Sequence, residues 1–250
     1  MARLVTLTTL QNRVLQRANL QFGSNSAIAP LAEVTDCINE GIAELYDLIV
    51  SVEDQPYYLS SVPFNTSSTS DTYTIGPGQA VPAPDFYRGK GLDIEFGQNI
   101  IRTAYPFTWN ERNRYKYLGG WVYTQPVAYR FIGKTTSNPA FAAFDSVKLM
   151  PQPGGQFSCQ LWYNPTPPYL VAGTDTFDGI NGFEEHAVLT AAIKLLTKQE
   201  QFEHAQALMA ERARQEARIL GMIPSRDAEC PPRVQDVTVI NDVAFGRPGY

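Results

Sequence analysis

Histidine and cysteine are scarce in this sequence, with two and three copies, and neither set is spaced for chemistry. Cys37, Cys159 and Cys230 contain no C-x-x-C pair, so neither a zinc ribbon nor a dithiol redox motif is expected; scattered buried thiols in a reduced compartment are. His186 and His204 lie far apart on helix-like sequence, outside any metal-ligand or triad motif. No G-x-S-x-G, H-E-x-x-H, P-loop or G-x-G-x-x-G pattern occurs, and no cofactor or metal is expected. No apolar run approaches the ~18 residues of a membrane span. The opening residues, MARLVTLTTLQNRVLQ, interleave polar and apolar positions unlike a signal peptide. A soluble protein made in a cytoplasm, with no membrane partner, is the expectation. An excess of positive charge is missing too: 20 basic residues face 25 acidic ones, a formal net charge of -5, which argues against a protein that wraps nucleic acid by neutralising phosphates.

What the sequence does have is an uneven distribution of residue types. Residues 55–180 hold 13 of the 18 prolines, all three tryptophans and 11 of the 13 tyrosines, whereas the flanks carry helical periodicity. The contrast predicts an α+β protein: a helical bundle from the N- and C-terminal helices (1–54 and 181–221), an inserted β-rich domain (55–180) and an extended C-terminal arm (222–250).

In the first flank, Leu7, Leu10, Val14 and Ala18 share one face of a helix predicted over Thr6 to Leu20. Leu31, Val34, Ile38, Ile42, Leu45 and Ile49 form the stripe of a second helix, from Pro30 to Val52, with Pro30 in its first turn. In the second flank, Asn181 and Glu184 fit a capping box, and Phe183, Ala187, Val188, Ala191 and Leu195 make a stripe. From Phe183 to Leu220 there is neither glycine nor proline. One long helix and two helices broken near Gln199 to Phe202 are both compatible with that, with Gly221 as the C-terminal cap. The later half has a thin apolar face, Ala205, Leu208, Met209 and Ile219, and Arg212 and Glu216 are spaced to pair.

Between the flanks, residues 71–75, 91–96 and 127–131 read as strands, and residues 147–150 and 157–163 read as a hairpin across Pro151–Gly155. Residues 164–168 are expected to end the sheet, because proline lacks a ladder donor. Three patches here bear on chemistry. Asp93 and Glu95 alternate on one strand and could face the same way; with Trp109, Trp121 and Trp162 they could describe a carbohydrate-binding module or a glycoside hydrolase, against the simpler reading of an exposed strand face over core aromatics. Asp175 to Gly179 could hold calcium, but it lacks the acidic spacing of a calcium loop, and local turn capping explains it. Trp109, Arg112, Arg114, Tyr115 and Lys116 form one basic–aromatic run, able to touch nucleic acid or a protein. After Met222, Val234, Val237, Val239, Ile240, Val243 and Phe245 give a segment with apolar anchors and β character but no helical period, which suits an arm that orders on a partner by adding a strand.

The order of these elements resembles a known family. The sequence runs from a leucine-rich first helix through Asp36-Cys-Ile-Asn-Glu-Gly-Ile-Ala-Glu-Leu-Tyr-Asp-Leu48 to an aromatic β segment. Val147-Lys-Leu-Met-Pro-Gln-Pro153 and Leu161-Trp-Tyr-Asn-Pro165 follow. It closes with a helix opening on Gly182-Phe-Glu-Glu185, then Arg226-Asp227 and Pro232-Arg233-Val234. Over most of its length the chain resembles the head-to-tail adaptor, or head-completion, proteins of tailed bacteriophages. The resemblance implies a virion structural protein of the particle neck, not an enzyme, in a dodecameric ring under the portal, through which double-stranded DNA passes without sequence-specific binding. It also implies that the arm docks on the portal protein through Arg233, Val234, Val237, Val239, Ile240, Val243 and Phe245. The β-rich segment would then face tail or neck proteins, with Trp109, Arg112, Arg114 and Tyr115 as the candidate tail-facing loop. The flanks outside 55–180 carry 11 positive and 17 negative charges, an acidic balance that suits a conduit to which DNA does not adhere.

Overall fold

The computed structural model describes residues 4–20, 30–52, 57–97, 100–113, 126–133, 145–180 and 182–223. Among them are four helices and ten strands in three sheets, a mixed α+β fold. In chain order these are β1 (Leu4–Thr6), α1 (Leu7–Arg17), α2 (Leu31–Ser51), β2 (Ser60–Asn65), β3 (Thr72–Ile75), β4 (Phe86–Glu95), β5 (Ile101–Thr103), β6 (Tyr105–Pro106), β7 (Ala128–Ile132), β8 (Asp145–Met150), β9 (Ser158–Pro165), β10 (Thr176–Asp178), α3 (Glu184–Lys198) and α4 (Phe202–Met222). Two compact units result, one drawn from residues 1–55 and 170–250, the other from 56–169.

In the first unit α1 starts where Thr6 accepts the Thr9 backbone N–H at its hydroxyl, 3.3 Å away, filling one of the orphan donors of a helix start. Leu7, Leu10, Val14 and Ala18 are all buried, as their spacing predicts. The apolar stripe of α2 from Val34 to Ile49 is fully buried, but Leu31 is 54% exposed. Pro30 is the cap preceding the first turn rather than part of it, and the stripe starts one turn later than its sequence suggests. Helices α2 and α3 approach closely at Gly41, where an added Cβ would lie 2.8 Å from the Ala187 carbonyl oxygen. Lys194 and Lys198 of α3 reach across to Glu40, Glu44 and Glu33 of α2 at the solvent edge of this contact.

The second flank contains two helices. Residues 199–201 break the helical run, with Glu200 at φ 60°. Helix α3 begins at Glu184 with Phe183 as its cap and no side-chain cap bond from that residue; Asn181, the first member of the expected capping box, lies outside the described residues. Helix α4 runs through Gly221 instead of stopping there, which places Ile223 one turn beyond Ile219, and both are fully buried. Met209 faces outward, unlike its expected neighbours Ala205 and Leu208.

Residues 170–180 fall with this helical unit although their composition groups them with the β-rich stretch. Two contacts explain it. Strand β10 pairs antiparallel with β1, which the helix-period reading of the N-terminus conceals. The buried Asn39 of α2 treats Leu170 as a strand would: its Nδ2 donates to the Leu170 carbonyl and its Oδ1 accepts the Leu170 N–H, each at 2.9 Å.

The second unit is a β-sandwich. One sheet has the order β2-β9-β4-β5, the other β3-β8-β7-β6. Strand alternation sends Phe64, Leu92, Ile94, Cys159, Leu161 and Tyr163 inward from the first, and Tyr73, Ile75, Tyr129, Val147 and Leu149 from the second, into one shared core. The rings of Phe64 and Tyr73, and of Phe86 and Phe131, meet across that core at 5.6 Å. Burial pushes the Cys159 thiol up to about 12, so it behaves as a small apolar core residue.

The expected hairpin of residues 147–150 and 157–163 does not form. The strands exist, but β8 and β9 belong to opposite sheets. Thr66, just after β2, decides this: its hydroxyl donates to the Gly155 carbonyl and accepts the Phe157 N–H. The connection is thereby tied to the β2 end of the other sheet, and β9 enters between β2 and β4. Strand β9 also continues through Asn164 to Pro165 rather than ending at Asn164. The buried Asn164 side chain donates to the Tyr57 and Tyr58 carbonyls.

Candidate docking recess

The outer face of the β3-β8-β7-β6 sheet is where the sandwich departs from a plain polar exterior. Alternation points Thr72, Arg130 and Lys148 outward together with Ala128 and Met150. Ala128 and Met150 form a small second core with Phe107, the residue that leads the chain from β6 over this face. The next residues fold into a 3₁₀ turn, Trp109–Glu111. It is clasped by its own ends, since both the Thr108 N–H and the Thr108 hydroxyl donate to one Glu111 carboxylate oxygen.

This turn covers only part of the face. Beside it lies a recess of about 480 Å³ lined by Asp71, Trp109, Arg112, Asn113, Lys148 and the stretch from Leu149 to Gln152. Trp109 is 47% exposed. The Arg112 guanidinium lies 5.5 Å from its ring centroid and that of Arg130 6.0 Å, both within cation–π range. Each arginine also holds the covering segment in place, Arg112 by donating to the Trp109 carbonyl and Arg130 by donating to that of Phe107.

The electrostatics are lopsided. Arg130 and Lys148 are directly opposed in the β7–β8 ladder, an arrangement that costs stability when two like charges face each other. Lys148 is neutralised by Asp71, 2.6 Å away. Partial burial raises the Asp71 carboxyl, yet the Lys148 ammonium and the Thr72 hydroxyl hold it below the usual carboxylate range. Among the described residues neither Arg112 nor Arg130 has a carboxylate partner. The recess therefore offers the Arg112 guanidinium and an aromatic face beside the apolar Met150 and Pro151, and it can hold an anionic group that has an apolar neighbour.

Of the tail-facing loop read from sequence, Trp109 and Arg112 line this recess, whereas Arg114 and Tyr115 lie outside the described residues. Sequence reasoning missed Asp71, Arg130 and Lys148. The signal was present, since each cation interrupts an alternating strand at an outward position, but which strands are neighbours depends on sheet order. The arm residues Arg233, Val234, Val237, Val239, Ile240, Val243 and Phe245 lie outside the described residues, as do Trp121 and Cys230.

The other candidates resolve differently. Asp93 and Glu95 share the outer face of β4, as expected. One Asp93 oxygen accepts the Trp162 indole N–H and the other the Thr103 hydroxyl, each at 2.7 Å, so both are occupied by strand neighbours. Asp175 accepts the Val171 and Ala172 N–H groups at a single carboxylate oxygen, and those bonds hold its pKa down; it caps a turn. His204 is exposed, whereas His186 is buried on α3. Its Nε2 lies 3.2 Å from the Glu216 carboxylate on α4, which also accepts from Arg212. Arg212 in turn pairs with Glu44 of α2, making an ion network across three helices. Among the described residues no group of three or more potential metal ligands comes together, and no helix is long and apolar enough to cross a membrane. Compared with models of known protein families and with curated proteins, the chain matches none.

Proposed function

We propose that this chain is a structural adaptor of a tailed-bacteriophage neck, joining the portal to the tail as a ring of copies around the DNA path. In this reading the helices of the two chain ends form the ring-building bundle, the β-sandwich is an inserted domain directed at tail or neck proteins, and residues 222–250 are the arm that docks on the portal protein. The observation that carries it is the two-part construction. One unit gathers four helices from both ends of the chain, and the intervening residues fold as a separate sandwich with its own core, which is compatible with the element order by which the sequence resembles such adaptors. Phe202, Met209 and Leu220 also leave an exposed apolar row along α4, which suits side-by-side packing of copies. The alternative of a glycoside hydrolase draws no support from Asp93, whose oxygens are taken by Trp162 and Thr103.

The test is attachment to heads. A chain lacking residues 231–250 is expected to melt as the full chain does and to fail to cosediment with DNA-filled, tailless heads that bear a portal. Replacing Val237, Val239 and Ile240 by aspartate is expected to do the same, since unpaired charges do not enter a dry groove. Full head binding by the truncated chain would show that the arm is not the docking element; its unfolding would place the arm in the protein's own core.

A further inference from the structure

The recess beside Trp109 has features that a sandwich exterior does not need for its own stability. Two guanidinium groups converge on one half-exposed tryptophan, a third cation sits beside them, and two of the three cations oppose each other across a ladder. The two nearby carboxylates are engaged, Asp71 by Lys148 and Thr72 and Glu111 by Thr108. Arg112 and Arg130 each spend one N–H on a backbone carbonyl. A guanidinium carries five donors in a planar fork suited to a carboxylate, so both retain donors that face no counter-charge among the described residues. An anion arriving here would find the donors of Arg112 open to it.

We propose that this recess binds an acidic peptide segment of a partner protein, with a carboxylate against Arg112 and an adjoining apolar side chain against Trp109 and Met150. The shape and the charge balance favour peptide over nucleic acid. A recess of about 480 Å³ bounded by Met150, Pro151 and Gln152 fits a few side chains, whereas single-stranded nucleic acid needs a basic groove that tracks its backbone. The whole chain is also acidic, at -5, and would repel a polyanion beyond the reach of this patch. The identification of that partner as a tail or neck protein rests on the adaptor reading; the chemistry of the recess does not.

The experiment is fluorescence anisotropy with the full chain and three labelled probes: a short peptide in which glutamates alternate with leucine and proline, the same peptide with lysine for glutamate, and a single-stranded oligonucleotide of matching charge. Saturable binding of the acidic peptide alone is expected. Arg112→Gln should weaken it roughly tenfold, about the loss of one charge-assisted hydrogen bond, and Trp109→Ala should weaken it as well. Arg214→Glu, a larger change of charge at an exposed position of α4, should leave it unchanged. Thermal unfolding accompanies each variant; if Trp109→Ala unfolds, Arg112→Gln, which removes the charge and keeps a polar side chain, decides the matter. No binding of the acidic peptide, tighter binding of the oligonucleotide, or equal losses in Arg112→Gln and Arg214→Glu would each overturn the proposal. None of these results bears on head attachment through the arm, so the two readings can fail separately.

Discussion

Asn39 offers the sharpest perturbation of the fold. It sits in the middle of α2, only 7% exposed, and its amide closes both backbone groups of Leu170, itself buried. Replacing it by alanine leaves a buried N–H and a buried carbonyl without partners. Each unsatisfied group costs about 1–3 kcal/mol, while the better helix propensity of alanine returns at most ~0.7 kcal/mol. A net loss of about 3 kcal/mol follows, equivalent to a fall in Tm of about 6–12 °C for a chain of 250 residues unfolding as one. Asn39→Asp sharpens the test. Its carboxylate can still accept the Leu170 N–H, but at neutral pH its other oxygen faces the Leu170 carbonyl, and burial raises its folded-state pKa above the unfolded ~3.9. Its destabilisation should therefore be full above the folded pKa and shrink as pH falls through it, when the protonated acid donates to that carbonyl. Thermal unfolding followed by circular dichroism, with hydrogen exchange at the Leu170 amide, reads both effects. A change in Tm of less than about 2 °C for Asn39→Ala, with Leu170 still protected, would show that residues 170–178 are held to the helices by something other than this amide.

Three further expectations concern packing, titration and the carboxylates of β4. Gly41→Val should destabilise the helical unit by about 3 kcal/mol, because the new side chain meets the Ala187 backbone rather than a side chain able to turn aside; a denaturant midpoint equal to that of the native chain would contradict this. Burial lowers the His186 pKa, an effect that Arg212 reinforces and Glu216 and Glu44 oppose. The folded state therefore favours neutral imidazole, and the contribution of His186 to stability is full above the unfolded pKa of ~6.5 and is lost as pH falls through the lower folded value. His186→Phe should flatten that stretch of the stability–pH curve, and an unchanged slope would refute the assignment. Asp93→Asn should lower the Tm, since the amide nitrogen that replaces one carboxylate oxygen only donates and the side chain keeps a single oxygen for Trp162 and Thr103, whereas Glu95→Gln should not; both variants should assemble normally, and loss of a measured hydrolytic activity in either would revive the hydrolase reading.

Periodicity carried the helices because their buried faces are long. Val34, Ile38, Ile42, Leu45 and Ile49 repeat too regularly for another structure, and the same holds from Ala187 to Leu195. Where a boundary depends on one or two residues, packing overrides local signals: Gly221 does not stop α4 because Ile223 has a buried site one turn on. Strands were legible one at a time through their alternation, but their partners were not. A proline-glycine loop between residues 150 and 157 looks like a hairpin, and only the Thr66 side chain, distant in sequence, shows that the chain changes sheets there. The recess follows the same rule. Trp109 and Arg112 stand out as neighbours in a basic–aromatic run, but Arg130, Lys148 and Asp71 join them only through strand order. The short β1 and β10 were hidden for a related reason: three residues each, they are fixed by one another and by Asn39.

The central claim is that this chain joins a portal to a tail, and a cryo-electron reconstruction of the neck of the particle that carries it tests that most directly. The account predicts a ring of copies seated on the portal, with Val237, Val239 and Ile240 buried against the portal protein and the β-sandwich directed toward the tail. A neck in which another protein contacts the portal at every site, with this chain in a fibre, on the capsid surface or absent from the particle, would contradict it.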